Sequence, residues 1–450
     1  MEKRVVILGA GESGVGAAML AKQKGYAVWV SDLGLINEDK KELLRSNGIP
    51  FEEGEHSDSE ILNASEIIKS PGIPLTASIV QKAISKGIKI IDELEFASRY
   101  SKGNIIGITG TNGKTTTTLL TYHLLKKGGF DVGLAGNVGQ SWSGQLTVGD
   151  KNWWVIEMSS FQLDGLYSLK PKIAILTNIT PDHLDRYGYQ IENYIASKVS
   201  IFKNMKTEDS AIFYADDQLI GKGLETVDLT ATPYPVSLKA AQKRGGYYSS
   251  KSMDLRVSGK RLEIDPKAVA VKGKHNAINT MMASLAALLA GVDEKAIKAG
   301  LSDFQNASHR MEEVSEIEGV RFVNDSKGTN VDATKYALEA FDGPLIWIAG
   351  GVDKGNDYSV IEPLISGRIE ALICLGKDNM KLREAFVGKI EIIKETQEIA
   401  QAVRWGLELG RSGAVVLLSP ACASFDLFKN YEDRGEQFKK AVQELKTAAI

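Results

Sequence analysis

Residues Gly110-Thr111-Asn112-Gly113-Lys114-Thr115-Thr116 have the types and spacing that hold a polyphosphate. In such a loop the backbone N–H groups face phosphate oxygens, Lys114 adds a positive charge, and the Thr115 hydroxyl is placed to hold Mg²⁺. The common motif G-x-x-x-x-G-K-[ST] is not strictly met, because Ile108 stands where its first glycine belongs. A glycine-rich turn with a solvated lysine is the plain alternative. The apolar run before the loop and the helix-like run after it favour the phosphate reading. Glu157 ends the apolar run Trp153–Ile156 and is a natural Mg²⁺ ligand, or else a helix cap or surface acid. His183 follows the run Ile173–Thr177 in a Pro-Asp-His turn, where the ends of parallel strands gather ligands.

Lys198 stands out by its neighbours. On a helix from about Ile191, Tyr194, Ile195 and Ile201 place it on the apolar stripe. One reading is a lysine that buries its stem and keeps its head in water. The other is a buried lysine whose depressed pKa makes it a reactive neutral amine.

A second glycine-rich loop, Gly9-Ala10-Gly11-Glu12-Ser13-Gly14, matches G-x-G-x-x-G between a strand and a helix, and Asp32 ends the next strand. Taken alone it suggests a nicotinamide or flavin cofactor, hence an NAD-dependent oxidoreductase. The same glycines and helix N-terminus suit any diphosphate, or simply tight strand-to-helix packing. An ATP-type loop further along weakens the oxidoreductase reading and points to two nucleotides, one hydrolysed and one a handle.

These residues need elements to position them. Val5–Leu8, Val28–Val30 and Ile88–Ile91 read as strands alternating with helices, the first from about Val15 to Lys24. Ile105–Thr109, Trp153–Glu157 and Ile173–Asn178 are strands of a second unit, with a helix at Thr115–Lys127. Leu255–Val257 and Leu262–Ile264 suggest a small antiparallel patch, and His275-Asn276 and Asn279 open an Ala-rich helix that their side chains can cap. A third unit has strand cores Val320–Val323, Leu345–Ala349, Ala371–Leu375 and Ala414–Leu418. The loops after them, Asn324–Asn330, Gly350–Asn356, Gly376–Asn379 and Ser419–Asp426, fall on one sheet edge. Arg310 lies at the start of this unit, suited to phosphate charge or to a surface salt bridge.

The 450 residues suggest about three domains. With 43% hydrophobic and 25% charged residues, the chain has enough apolar side chain to fold throughout. A formal charge of −3 argues against coating nucleic acid or an anionic membrane. No apolar stretch reaches the roughly 18 residues of a membrane span. Two cysteines, Cys374 and Cys422, build no disulfide framework, which suits a reducing cytoplasm.

The loop G-T-N-G-K-T, the run Glu157-Met158-Ser159-Ser160-Phe161-Gln162-Leu163 and the run Asn178-Ile179-Thr180-Pro181-Asp182-His183-Leu184-Asp185 resemble the Mur ligases, over about residues 5 to 440. Asn324-Asp325-Ser326-Lys327-Gly328-Thr329-Asn330 and Ser419-Pro420-Ala421-Cys422-Ala423-Ser424-Phe425-Asp426 resemble the branch that adds D-glutamate. The resemblance implies an α/β protein of three domains: a Rossmann-like domain at 1–93, a central P-loop ATPase-type mononucleotide-binding domain at 94–302, and a Rossmann-like domain at 303–450. It implies ATP-dependent joining of D-glutamate to UDP-N-acetylmuramoyl-L-alanine through an acyl phosphate, in cytoplasmic peptidoglycan precursor synthesis. The even charge and the lack of a coiled-coil repeat suggest a monomer. A sister Mur ligase adding another amino acid is the near alternative.

By the same resemblance, Gly110 to Thr116, Asn276, Asn279, Arg310 and Asp325 bind ATP. Thr115, Glu157, His183 and a CO₂-carbamylated Lys198 hold two Mg²⁺ ions. Lys114, Glu157, His183, Lys198 and Arg310 form the catalytic set. Gly11, Ser13, Asp32, Ser70, Gly72, Asn137 and His183 face the UDP substrate. Leu33-Gly34 stands where a relative carries Thr-Arg, so uracil recognition differs in detail. Lys327, Thr329, Lys354, Ser424 and Tyr431 take D-glutamate, and Tyr431 stands where members of the family can carry Phe.

Overall fold

The computed structural model describes residues 3–249, 251–257, 259–365 and 367–448. The chain packs as two compact units, one of residues up to 270 with 277–304, the other of 271–276 with 305 onward. Three sheets carry three α/β domains, the first two sheets lying in the first unit.

The first sheet is wholly parallel, in the order Phe51–Glu53, Ala27–Asp32, Arg4–Leu8, Glu66–Lys69, Lys89–Ile91. Reversal of order at the first strand makes it doubly wound, with a ligand crevice beyond the strand ends. Val5, Val6, Ile7 and Leu8 are all buried, as a parallel strand covered on both faces requires. The first helix starts at Glu12 rather than near Val15, because Gly11 itself forms the N-terminal boundary. Gly14 sits inside its first turn, where a Cβ would fall 1.9 Å from the Gly9 carbonyl oxygen. The third glycine of the motif is therefore a packing requirement.

The second sheet has nine strands, with Asn104–Thr109 between Ile173–Leu176 and Trp153–Glu157. Its far end is the expected antiparallel hairpin, Met253–Val257 with Lys260–Ile264, joined to the parallel part through Gly245–Tyr248. The strand Thr232–Ser237 was hidden by Pro233 and Pro235; its pairing with Gly245–Tyr248 begins only at Val236, past both prolines. The strand expected to end at Asn178 stops at Leu176, because Thr177 and Asn178 turn to bond the phosphate loop.

A short acidic helix, Glu93–Ser98, ties these two domains together. The Glu93 carboxylate accepts from the Ser141 hydroxyl and the Ser143 amide. That of Glu95 accepts from the amides of Tyr167, Ser168 and Leu169 and from the Ser168 hydroxyl.

The third sheet runs Glu312–Ile317, Val320–Asn324, Val415–Leu418, Leu345–Ala349, Ile369–Leu375, Ile392–Thr396; only the first strand is antiparallel. The four expected strand cores form its centre, with one apolar cluster on each face. The two edge strands carry too many polar residues to be read as strands from apolar runs.

Candidate active site

The loop Gly110 to Gly113 follows the strand Asn104–Thr109 and feeds the helix Lys114–Lys127. It is held from the neighbouring strand end. The Thr111 amide donates to the Asn178 carbonyl, and the Asn112 amide to the Asn178 side chain at 2.9 Å. The Thr177 hydroxyl and Asn178 Nδ2 both donate to the Asn112 carbonyl. Lys114 Nζ bonds the carbonyls of Gly110 and Thr111, so its ammonium lies within the loop. Thr115 and Thr116 are buried at the head of the helix.

Gly113 has φ +80°, and a Cβ there would meet Asn279 Oδ1 at 2.5 Å. Gly113→Ala should destabilise the protein by about 1–3 kcal/mol and weaken nucleotide binding at least about tenfold. Thermal unfolding and equilibrium nucleotide titration check both; unchanged affinity would remove this loop from the nucleotide site. Asn279 thus stands against the phosphate loop. Asn276 Nδ2 donates to the Lys272 carbonyl. Both asparagines lie within the helix Lys274–Ala290, so they do not cap it as the sequence suggested.

Glu157, Lys198 and His183 come from three separate elements. Glu157 ends the strand Trp153–Glu157 and is 1% exposed. Its Oε1 accepts from Asn137 Nδ2 at 2.7 Å, while Oε2 is buried with no hydrogen-bond partner among the described residues. An orphaned carboxylate oxygen is costly unless a cation meets it. Lys198 is 2% exposed on the helix Ile191–Val199, which overturns the reading of a lysine with its head in water. Nζ reaches the Thr109 hydroxyl at 3.3 Å, and the ammonium lies over the Tyr194 ring. Burial, reinforced by the Lys114 charge, holds this amine well below the usual lysine range. His183 adopts left-handed backbone, φ 53°, and packs its ring edge-on to Phe161. Its side chain is 45% exposed beside Asp182.

Lys114, Asn137, His183, Lys198 and Gly72 line one cavity of about 270 Å³, with Glu157 behind Asn137. The cavity joins the phosphate loop to the Ser70-Pro71-Gly72 turn of the first domain. Arg186, not anticipated, reaches from the central domain to the carbonyls of Pro71 and Gly72. Among the described residues no three His, Cys, Asp or Glu side chains converge to hold a metal. A metal held by Thr115, Glu157 and His183 would therefore need a further oxygen donor, such as a phosphate oxygen or a carbamate on Lys198.

Gly11, Ser13 and Asp32 lie at the crevice of the first sheet. Asp32 Oδ2 accepts from the Ala10 amide at 2.7 Å and Oδ1 from the Gly34 amide at 2.8 Å. Its carboxylate braces the glycine loop, a role that needs no nicotinamide nucleotide. Ser70 Oγ touches the Gly9 carbonyl. Leu33 and Leu35 are exposed beside them.

In the second unit, Arg310 lies between His309 and Met311, both with positive φ. Asp325 is buried; burial pushes its pKa up to about 7 against the Ser419 hydrogen bond and the Arg310 charge. Lys327 lies over the Tyr431 ring, Ser424 is buried, and Lys354 is exposed. Thr329 follows Gly328 on the same loop as Lys327. These residues share the carboxyl edge of the third sheet. Arg434, buried beneath them, was missed because nothing in its Asp-Arg-Gly context distinguishes it from a surface arginine.

The chain matches three family models: the N-terminal domain of Mur ligase, MurD-like, over residues 3–92; the Mur ligase middle domain over 108–287; and the Mur ligase glutamate ligase domain over 309–422. It is 48% identical over 448 residues to a UDP-N-acetylmuramoylalanine–D-glutamate ligase of Cytophaga hutchinsonii, covering 99% of this chain and 100% of that one. It is 46% identical over 445 residues to the protein so named in Christiangramia forsetii, covering 99% and 100%. Among solved structures, a pseudomurein peptide ligase type C from Methanothermus fervidus superposes with a TM-score of 0.63 at 19% identity, covering 99% of this chain and 100% of that one.

Proposed function

This chain belongs to the Mur ligase family, and from that premise we propose that it joins D-glutamate to UDP-N-acetylmuramoyl-L-alanine with hydrolysis of ATP to ADP and phosphate. One observation carries the reading: a phosphate-loop lysine, an orphaned carboxylate oxygen and a buried amine meet at one sheet edge, in a chain similar over its full length to D-glutamate ligases. The alanyl carboxylate attacks the γ-phosphorus of ATP, giving an acyl phosphate and ADP. The neutral amine of D-glutamate then attacks the acyl carbon, a proton leaves the nitrogen, and phosphate departs with the cleaved acyl C–O bond. Activation as a mixed anhydride turns a poor electrophile into one an amine can attack.

Each residue takes a role in this scheme. Gly110 to Thr116 cradle the phosphates, and Lys114 with Arg310 offsets the charge on the phosphoryl group in transit. Asn276 and Asn279 hold the adenine, and Asp325 the ribose. Thr115, Glu157, His183 and Lys198 as a carbamate hold two Mg²⁺ ions. Bound there, Mg²⁺ polarises phosphoryl oxygens and neutralises charge. Gly11, Ser13, Asp32, Ser70, Gly72, Asn137 and His183 hold the UDP substrate. Lys327, Lys354, Thr329, Ser424 and Tyr431 bind the two carboxylates and the backbone of D-glutamate. The domain limits are taken as 1–93, 94–302 and 303–450. None of the described helices is long and apolar enough to cross a membrane. We assign the protein to the cytoplasm, as a monomer.

Phosphate release from ATP with Mg²⁺ and UDP-N-acetylmuramoyl-L-alanine, across a panel of amino acids, tests the function. Turnover with D-glutamate, and little with L-glutamate, L-alanine, L-lysine or meso-diaminopimelate, is expected. Turnover with another amino acid would move the protein to a sister ligase.

The elevated pKa of Asp325, about 7, adds a pH dependence. Below it the group is protonated and loses an acceptor for ribose hydroxyls; above it the carboxylate accepts both. The KM for ATP should therefore fall several-fold, roughly three- to tenfold, between pH 6 and 8. Asp325→Asn should flatten that slope at a raised KM. An unchanged slope in the variant would remove Asp325 from the nucleotide site.

A further inference from the structure

Arg434, in the first turn of the helix Tyr431–Ala448, is 1% exposed and does not touch the residues assigned to D-glutamate by their side chains. Its Nη2 donates to the Ser326 carbonyl at 2.8 Å and its Nε to the Ser326 hydroxyl at 3.0 Å. Nη1 and Nη2 share the Cys422 carbonyl at 3.3 Å, and Nη1 reaches the Gly350 carbonyl at 3.5 Å. Ser326 Oγ passes the network on to the Tyr431 carbonyl at 2.8 Å. One guanidinium thus grips three loops, those holding Lys327 and Thr329, Lys354, and Ser424.

No carboxylate oxygen comes within the 4.0 Å of an ion pair with Arg434 among the described residues. A guanidinium held only by carbonyls and a hydroxyl is an expensive way to join loops, since burying an unpaired charge costs several kcal/mol, on the order of the whole stability margin. Burial lowers its pKa only to about 10, so the charge persists at neutral pH. Asp426 and Asp325 act on it from a distance, and burial keeps Asp325 largely short of full ionisation near neutrality. With no ion pair to take up the charge, and the Cys422 thiol, Asp426 and Asp325 acting on it only without a direct bond, part of the field of this cation reaches the sheet edge that its three loops form.

We propose that Arg434 is a positioning residue of the amino-acid site: it fixes the three substrate loops against one another, and its charge, bound in no ion pair, favours an amino acid bearing two carboxylates. The inference rests on the amino-acid site assigned above. A planar fork suits the task because it bonds three carbonyls at once, which an ammonium cannot do in the same geometry.

Steady-state kinetics on the full chain tests it, varying each of the three substrates in turn. Arg434→Met is expected to raise the KM for D-glutamate at least about tenfold, with kcat and the KM values for ATP and UDP-N-acetylmuramoyl-L-alanine within about twofold of wild type. Arg434→Lys restores the charge without the fork and should recover part of the loss. Ser326→Ala keeps the charge, removes one bond of the fork and should raise the same KM about threefold. If Arg434→Met fails to fold, Ser326→Ala and Arg434→Lys decide the matter by the same split. Three KM values rising together, or an unchanged KM for D-glutamate in Ser326→Ala and Arg434→Lys, would overturn the inference. A wild-type enzyme that turns over a different amino acid would instead overturn the D-glutamate assignment, and the split is then read with that amino acid.

Discussion

Lys198→Ala is expected to lower kcat by about 10³-fold or more, with little change in the KM for ATP and no loss of thermal stability. The stability expectation follows from burial: an amine 2% exposed, whose charged form is strongly disfavoured, does not hold the fold together through its charge. The kinetic expectation follows from what the amine can become. A neutral lysine nitrogen adds to the carbon of CO₂, a proton leaves, and the side chain ends in a carbamate with two oxygens. The Lys198 amine lines the cavity with Lys114, and Glu157 lies close enough for its charge to be felt. An anion added there would complete the donor set proposed for Mg²⁺, which Thr115, Glu157 and His183 by themselves leave short. The alanine variant opens a space shaped for a small carboxylate, so millimolar acetate or formate should return part of the activity, whereas Lys198→Phe should not respond. Carbon-13 NMR on protein equilibrated with labelled bicarbonate should show one slowly exchanging carbamate in the wild type and none in the variants. Activity within about tenfold of wild type would remove Lys198 from catalysis. Lost activity without rescue and without a carbamate signal would leave a catalytic amine and dismiss the carbamate.

The second large effect belongs to Lys114. Lys114→Met should reduce kcat by about 10³–10⁵-fold, because in the proposed scheme this ammonium would meet the charge that gathers on the γ-phosphoryl group in the transition state. The ammonium now bonds the Gly110 and Thr111 carbonyls, so losing it also relaxes the loop and should raise the KM for ATP a few-fold, about two- to fivefold. Lys114→Arg should not rescue the rate, since a planar fork does not fit a cradle built around a point charge. The loop has its own anchors at Thr177 and Asn178, so unfolding temperature should move little in either variant. Retention of more than about a tenth of wild-type kcat in Lys114→Met would place phosphoryl transfer elsewhere.

Much of this was legible before any coordinates. The two glycine-rich loops announce themselves because a tight turn from strand to helix calls for glycine at fixed spacing, and the second adds Lys114 to it. The four buried strands of the third sheet are read as apolar runs because both of their faces are covered. Other features leave weaker signals. Glu312–Ile317 and Ile392–Thr396 are edge strands that face water, so their composition resembles a loop. Lys198 showed its apolar neighbours, yet whether its head reached solvent depended on Tyr194 and Thr109, the latter far away in sequence. Asn178 looked like part of a motif, but its work as an anchor of the phosphate loop needs the adjacency of two strand ends. Arg434 was invisible for the same reason: its three carbonyl partners come from loops up to 108 positions away.

The helix Glu93–Ser98 bears on how the chain is made. Every donor to the carboxylates of Glu93 and Glu95 lies downstream, at Ser141, Ser143 and Tyr167 to Leu169. Synthesis proceeds from the N-terminus, so the first sheet emerges from the ribosome with a helix it cannot finish burying. Glu93 must wait in water for the 50 residues to Ser143, and Glu95 for the 74 to Leu169. During that wait the first domain is incomplete, and its last helix is a latch without a catch. The fastening of the first two domains is complete only once the segment ending at Leu169 has emerged, so a gene cut between them would yield two pieces that each lack the other's half of it.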